Sequence, residues 1–420
     1  MEEQVLLPHL FRTEYRKIVS VLSNLFGIEH IEIAEDIVSD TFLTATELWS
    51  INGSPENPAA WLYTVAKNKT KNYLKRNTLF KQKLSAEIKY TANKTEEIEI
   101  DLSHKNIADS QLAMIFTVCN PCISSEAQIS LALNLLCGFG IQEIADAFLT
   151  NKEVIYKRLN RAKEKLKTEN IKIEQPTISE INNRLETVLT TLYLLFSEGY
   201  YSTFQNTNLR KDLCAEAMRL TSLLIENETT NKPSVNALLS LMCFHSSRFD
   251  ARTNENGESI LYEEQNETLW NKRLIDEGIY YLNQGSSGNQ LTKYHLEAGI
   301  AYWHTKKENP DEKWESILQL YNQLLQLEYS PIAALNRTFA LAKTNGKAEA
   351  IIEAEKLHLT DNHFYYSLLG NLYTGIDNVK AVQHFETALK LTNSTADKAT
   401  ITKNIDRLTT EKKTTASNGG

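Results

Sequence analysis

The stretch from Gly138 to Lys167, GFGIQEIADAFLTNKEVIYKRLNRAKEKLK, leaves this chain little choice of local fold. Ile141, Ile144, Ala145 and Phe148 recur at helical spacing and make one short amphipathic helix. Leu149, Thr150 and Asn151 break that pattern. Thr150 followed by Glu153 is a capping-box arrangement and predicts that a second helix starts there. In that helix Ile155, Leu159, Ala162 and Leu166 point one way. Lys152, Tyr156, Lys157, Asn160 and Lys163 point the other, with Arg158 and Arg161 on the flanks. Two short helices joined by a tight turn, the second basic on its open face, read as a helix-turn-helix with a recognition helix. A solvated lysine-rich helix at the end of a bundle is the plainer alternative.

The rest of the composition points the same way. Glycine and proline are scarce, and long runs of Leu, Ala, Ile, Glu and Lys favour an all-α chain. Its 420 residues suit two or three domains. No apolar run approaches the roughly 20 residues that span a bilayer. The opening MEEQVLLPHLFRTEYRK is acidic where a secretory signal would be basic, so a cytoplasmic protein is expected. The five cysteines form no disulfide framework. Cys119 and Cys122 make one Cys-x-x-Cys pair, but no second pair of ligands follows and no metal is expected.

The formal charge of −8 hides an uneven distribution. Lys67, Lys69, Lys71, Lys75, Arg76, Lys81 and Lys83 form a run without an acid, and Lys152 to Lys167 is a second basic stripe. The acidic excess falls mainly after residue 170. Upstream, a helix runs from about Val5 to Phe26 and stops at Gly27. A second covers Ile31 to Trp49, with Ile33, Ile37, Phe42, Ala45 and Leu48 or Trp49 on its buried face. Asp36 and Asp40 stack on its exposed face with no lysine expected nearby, a face that wants a basic partner. A polar loop, Ile51 to Pro58, precedes a third helix, AAWLYTVAKNKTKNYLKR, in which aromatics alternate with lysine and asparagine. Rings for base stacking among cations for phosphates suit single-stranded nucleic acid, although Trp61 and Tyr73 are equally plausible as core residues.

The order of these pieces resembles the sigma-70 family of RNA polymerase sigma factors, in its extracytoplasmic-function branch. AEDIVSDTF (Ala34 to Phe42) and NPAAWLYTVAKNKTKNYLKR (Asn57 to Arg76) are similar to region 2, and Gly138 to Lys167 to region 4. Leu149 or Thr150 stands where the family's turn usually has glycine, and Asn72 where an aspartate is common. LYLLFSEGYYS, LCAEAMRLTSLL, ALLSLMCFHSSRFDAR and SPIAALNRTFALAKTNG resemble the fused extension of a subgroup that ends in a tetratricopeptide-like domain. Asn336 and Gly370 lie at equivalent places in two segments, and Ala381, Phe385 and Ala388 keep the spacing of a second repeat helix. The implied organisation is region 2 over 1–80, a linker over 81–108, region 4 over 109–170 and a helical solenoid over 178–410.

The resemblance implies roles for residues. Asp36 and Asp40 would meet core RNA polymerase. Trp61, Tyr63, Lys67, Asn68, Lys71, Asn72, Lys75 and Arg76 would handle the melted −10 element, a flipped base entering the Ile51 to Pro58 loop. Lys152, Glu153, Tyr156, Lys157, Arg158, Asn160, Arg161 and Lys163 would meet the double-stranded −35 element. No catalytic constellation or cofactor motif is present, and His245, His295 and His304 read as partners within or on the helical core. The extension would regulate the factor through an unknown protein or small-molecule partner. Two alternatives remain: a stand-alone DNA-binding regulator with a protein-interaction domain, and a peptide-binding scaffold.

Overall fold

A computed structural model describes residues 2–76, 100–148, 150–201, 207–252, 260, 262–392 and 395–417. These contain eighteen α-helices and no strand. The chain forms two compact units, Met1–Asn231 and Lys232–Gly420.

The first unit opens with α1 (Glu2–Phe26), α2 (Ile31–Asn52) and α3 (Pro58–Arg76). Gly27 ends α1 in the left-handed region at φ 76, its N–H returning to the Ser23 carbonyl at 2.8 Å. Pro58 starts α3, where its fixed φ and missing N–H cost nothing. The buried face of α2 comprises Ile31, Ala34, Ile37, Val38, Thr41, Phe42 and Ala45. Of the two residues expected for the last turn of that face, Leu48 is exposed and Trp49 is half-buried, as is Ile33.

The linker expected over 81–108 ends early. Residues 77–99 lie outside the described residues, Lys81 and Lys83 among them, and α4 (His104–Val118) already begins at His104. Its start is set by the Ser103 hydroxyl, which accepts from the Asn106 N–H. Nearly every residue of α4 from Ile107 onward is buried, packed against α1. Next come α5 (Ser125–Leu131), continued as a π-turn over Ala132–Leu136, then α6 (Ile141–Ala147) and α7 (Lys152–Thr168).

The unit boundary differs from the expected 178. The hairpin of α8 (Ile178–Tyr201) and α9 (Thr207–Glu226) belongs to the first unit because it supplies partners for that unit's buried polar groups. Arg184 donates to the Phe116 carbonyl, and Thr191 donates to Gln128 Oε1 at 2.7 Å. Arg219 donates to the Leu136 carbonyl at the end of the π-turn at 2.7 Å. Arg16 of α1 and Glu216 of α9 form a buried ion pair, and Glu216 also accepts from Arg219 Nε at 2.8 Å. Leaving such groups without α8 and α9 would expose orphaned donors and carbonyls.

The second unit holds α10 (Pro233–Ser246), α11 (Lys272–Gly285), α12 (Lys293–Trp303), α13 (Pro310–Leu327), α14 (Pro331–Thr344), α15 (Lys347–Glu355), α16 (His363–Tyr373), α17 (Asn378–Leu391) and α18 (Thr395–Ser417). Most pack mainly on their chain neighbours, as in stacked helical hairpins, while α12 packs chiefly on α10. Ala381, Phe385 and Ala388 are fully buried, as their spacing predicts. Gly370 explains why: a Cβ there would lie 2.7 Å from the Phe385 ring, so the ring of α17 rests directly on the backbone of α16. Gly370→Ala is therefore expected to destabilise this unit by about 1–3 kcal/mol through overpacking. Urea denaturation checks it, and an unchanged midpoint would contradict this packing. His295 caps α12: its Nδ1 accepts from the Thr292 N–H at 3.1 Å, while Nε2 donates to the Gly285 carbonyl at 3.0 Å.

Candidate nucleic-acid interface

The outer face of α2 carries both expected aspartates. Asp36 and Asp40 are exposed, one turn apart. The expectation that no lysine lies near is wrong, because α3 folds back beside α2 and brings Lys69 Nζ within 2.5 Å of Asp40. That exposed pair contributes at most about 1 kcal/mol. Two further acids extend the ridge. Glu35 accepts from Lys163 at 2.6 Å and Glu32 from Lys167 at 3.1 Å, both lysines coming from α7. The ridge thus runs Glu32, Glu35, Asp36, Asp40. Spacing on α2 could have revealed the added acids, but nothing in the sequence marks their lysine partners.

On α3, Asn68, Asn72, Lys75 and Arg76 are exposed and lie close to one face by helical spacing. Lys67 and Lys71 are half-buried beside them. The two aromatics behave differently from expectation. Trp61 is half-buried, edge-on to Trp49 with ring centres 5.3 Å apart. Tyr63 turns inward, its hydroxyl donating to Glu14 of α1 at 2.5 Å. Burial and that carboxylate push its pKa up, so Tyr63 is a neutral strut and not an open stacking surface. Tyr73 packs edge-on against Phe26 at 5.8 Å, the core role that was one of its two readings. The loop is also shorter than expected, since α2 continues to Asn52 and leaves Ile51 fully on the surface at 79 % exposure.

The α6–turn–α7 pair forms as the spacing predicts. Ile144, Ala145, Ile155, Leu159, Ala162 and Leu166 are buried between the helices and the unit's core. Each such side chain contributes about 1.5–3 kcal/mol for the larger aliphatics. The cap is one residue later than predicted. Asn151, and not Thr150, accepts from the Val154 N–H at 3.0 Å. Thr150 instead closes the preceding helix, its N–H returning to the Ala145 carbonyl at 2.9 Å. Leu149 lies outside the described residues.

The open face of α7 comprises Lys152, Glu153, Tyr156, Lys157, Asn160 and Arg161, all exposed. Glu153, Tyr156, Lys157 and Asn160 form one stripe at helical spacing. Two expected members leave this set. Arg158 is half-buried, its guanidinium 5.6 Å over the Phe148 ring and within 3.4 Å of the Ser130 hydroxyl. Lys163 is buried at 7 % exposure against Glu35. It follows Ala162 at the edge of the apolar stripe and is captured there by α2. A cavity of about 400 Å³ lies beside this joint, lined by residues 24–30, Lys167 and residues 170–174.

Residues 10–79 match sigma-70 region 2, and residues 184–286 match a family of unknown function (DUF6596). The chain is similar to an uncharacterized protein of Rhizobium meliloti (strain 1021), 30% identical over 395 residues that cover 92% of each chain. No solved structure matches the chain. Among the described residues no helix is long and apolar enough to cross a membrane.

Proposed function

The chain belongs to the same family as the Rhizobium meliloti protein, and from that premise and its sigma-70 region 2 segment we propose that it is a bacterial transcription initiation factor. It binds core RNA polymerase through the acidic ridge of α2 and directs it to −35 and −10 promoter elements. The region 2 match carries this reading, because it covers the helices that bear the ridge and the basic face of α3. The α6–turn–α7 pair acts as region 4 of an extracytoplasmic-function factor, with Lys152, Glu153, Tyr156, Lys157, Asn160 and Arg161 toward the −35 duplex. Lys67, Asn68, Lys71, Asn72, Lys75 and Arg76 serve the −10 element, with Trp61 at their head. RNA synthesis belongs to the polymerase, and the chain works inside the cell. Co-purification with core polymerase tests the reading.

The joint between α2 and α7 supports a closed resting form. The two promoter elements lie about 25 base pairs apart, on the order of 80 Å of duplex. A Lys163–Glu35 pair at 2.6 Å cannot persist while α7 and α3 occupy both. The second unit, a tetratricopeptide-like array, regulates this opening in response to a protein or small-molecule partner. Cutting after Asn231 respects the unit boundary, whereas a cut near Ile173 would strip α8 and α9. The chain ending at Asn231 is expected to differ at least severalfold from the full chain in promoter-specific transcription at equal abundance. Equal activity would remove the regulatory role.

A further inference from the structure

Among its described residues, the second unit buries two cations that form no ion pair with a carboxylate. Arg248 and Lys313 are 7 % and 3 % exposed, and among the described residues neither has a carboxylate within ion-pair distance. Both surround one ring, that of Tyr262. The Arg248 guanidinium lies 5.5 Å from its centre and Lys313 Nζ 4.2 Å. Lys307 adds a third cation, 5.7 Å from the Trp270 ring that stacks on Tyr262. Of the nearby acids among the described residues, Glu263 pairs with Lys343 at 2.6 Å and Glu267 approaches Lys307 at 3.6 Å, and both reach Lys313 only at longer range.

The same box leaves donors unused. Among the described residues Arg248 Nε and Trp270 Nε1 are buried without an acceptor, and Trp270 is itself 6 % exposed. Lys313 spends two of its three N–H groups, on the Tyr262 hydroxyl and on the Lys306 carbonyl at 2.7 Å. His304 stands edge-on to Tyr262 at 5.1 Å. Burial beside Arg248 and Lys313 pushes its pKa down to about 3, so it adds no charge. Burial, Arg248 and Lys307 likewise push Lys313 down to about 8, outweighing the longer-range pull of Glu263 and Glu267.

Buried cations are normally paired, and buried donors normally find acceptors. We propose that this box is a binding site for a small oxyanion group, phosphoryl or carboxylate, held by Arg248, Lys313 and the Trp270 indole N–H. Such a ligand supplies both missing elements, a negative charge and several acceptor oxygens. An open aqueous patch would need neither. The site stands independently of the promoter reading, since it rests on the second unit alone.

The test is thermal unfolding of the full chain against inorganic phosphate, sulfate and acetate, each matched to chloride at equal ionic strength. A saturable rise in the unfolding midpoint is expected for at least one of the three. Preference for phosphate and sulfate over acetate identifies a phosphoryl-type ligand, and the reverse a carboxylate. Arg248→Met and Lys313→Met are each expected to weaken that anion at least about tenfold, the loss of one charge-assisted hydrogen bond. Trp270→Phe, which removes only the N–H, should weaken it as well and covers the case in which a charge variant fails to fold. No saturable rise with any of the three anions overturns the site. So does a rise that survives undiminished in the variants that fold.

Discussion

Glu216→Ala is expected to lower the stability of the first unit by about 3–5 kcal/mol, the usual result of stranding one partner of a buried pair. Glu216 receives both Arg16 from α1 and Arg219 from its own helix, and the Arg16 and Glu216 side chains are only 9 % and 12 % exposed. Its removal leaves two guanidiniums facing each other, since Arg219 already pushes the Arg16 pKa down in addition to burial. Replacing the pair together, Arg16→Met with Glu216→Leu, is expected to restore only part of the loss: the buried guanidinium of Arg16 is gone, while Arg219, 24 % exposed and still bonded to the Leu136 carbonyl, remains without its carboxylate. Urea denaturation of the single and double variants measures both effects. A loss below about 1 kcal/mol for the single variant would mean that α9 does not fasten α1.

The second large effect concerns α2. The double variant Asp36→Lys and Asp40→Lys is expected to weaken binding to core polymerase at least about 100-fold, since reversing two charges on a docking face costs several kcal/mol. Both side chains are exposed, so the fold should change by no more than about 0.5 kcal/mol beyond the loss of the Lys69 pair. Binding of duplex DNA by the α7 face should survive. A stand-alone regulator would make no use of the ridge, and its promoter output would be unchanged by the double variant. Retained polymerase binding would therefore remove the ridge from the account, whereas promoter output that is unchanged in the double variant and needs no polymerase binding by the chain would favour that alternative.

Local structure was easier to read in the sequence than long-range pairing. The start of α3 and the stop of α1 follow from Pro58 and Gly27, whose backbone restrictions act on their immediate neighbours. The exposed stripe of α7 follows from helical spacing. Lys163 could not be read this way, because its fate depends on Glu35, far away in the chain. The same holds for Tyr63, drawn inward by Glu14, and for Lys69 beside Asp40. The cap of α7 was ambiguous for a local reason: Thr150 and Asn151 are both good capping residues, and only the turn decides between them. The first compact unit continues through α8 and α9, which have the same amphipathic pattern as the helices that follow. What assigns them is the Arg16–Glu216 pair and the Arg219 bond to Leu136, contacts that periodicity does not encode. The Arg248–Lys313 box was invisible for the same reason, its members being scattered over several elements.

Transcription reconstituted from purified bacterial core polymerase, genomic DNA and the full chain tests the central claim most directly. Discrete start sites that depend on the chain, each preceded by a shared pair of upstream elements, are the expected result. Core polymerase that gives the same background transcripts with and without it, under conditions where a known initiation factor is active, would contradict the claim.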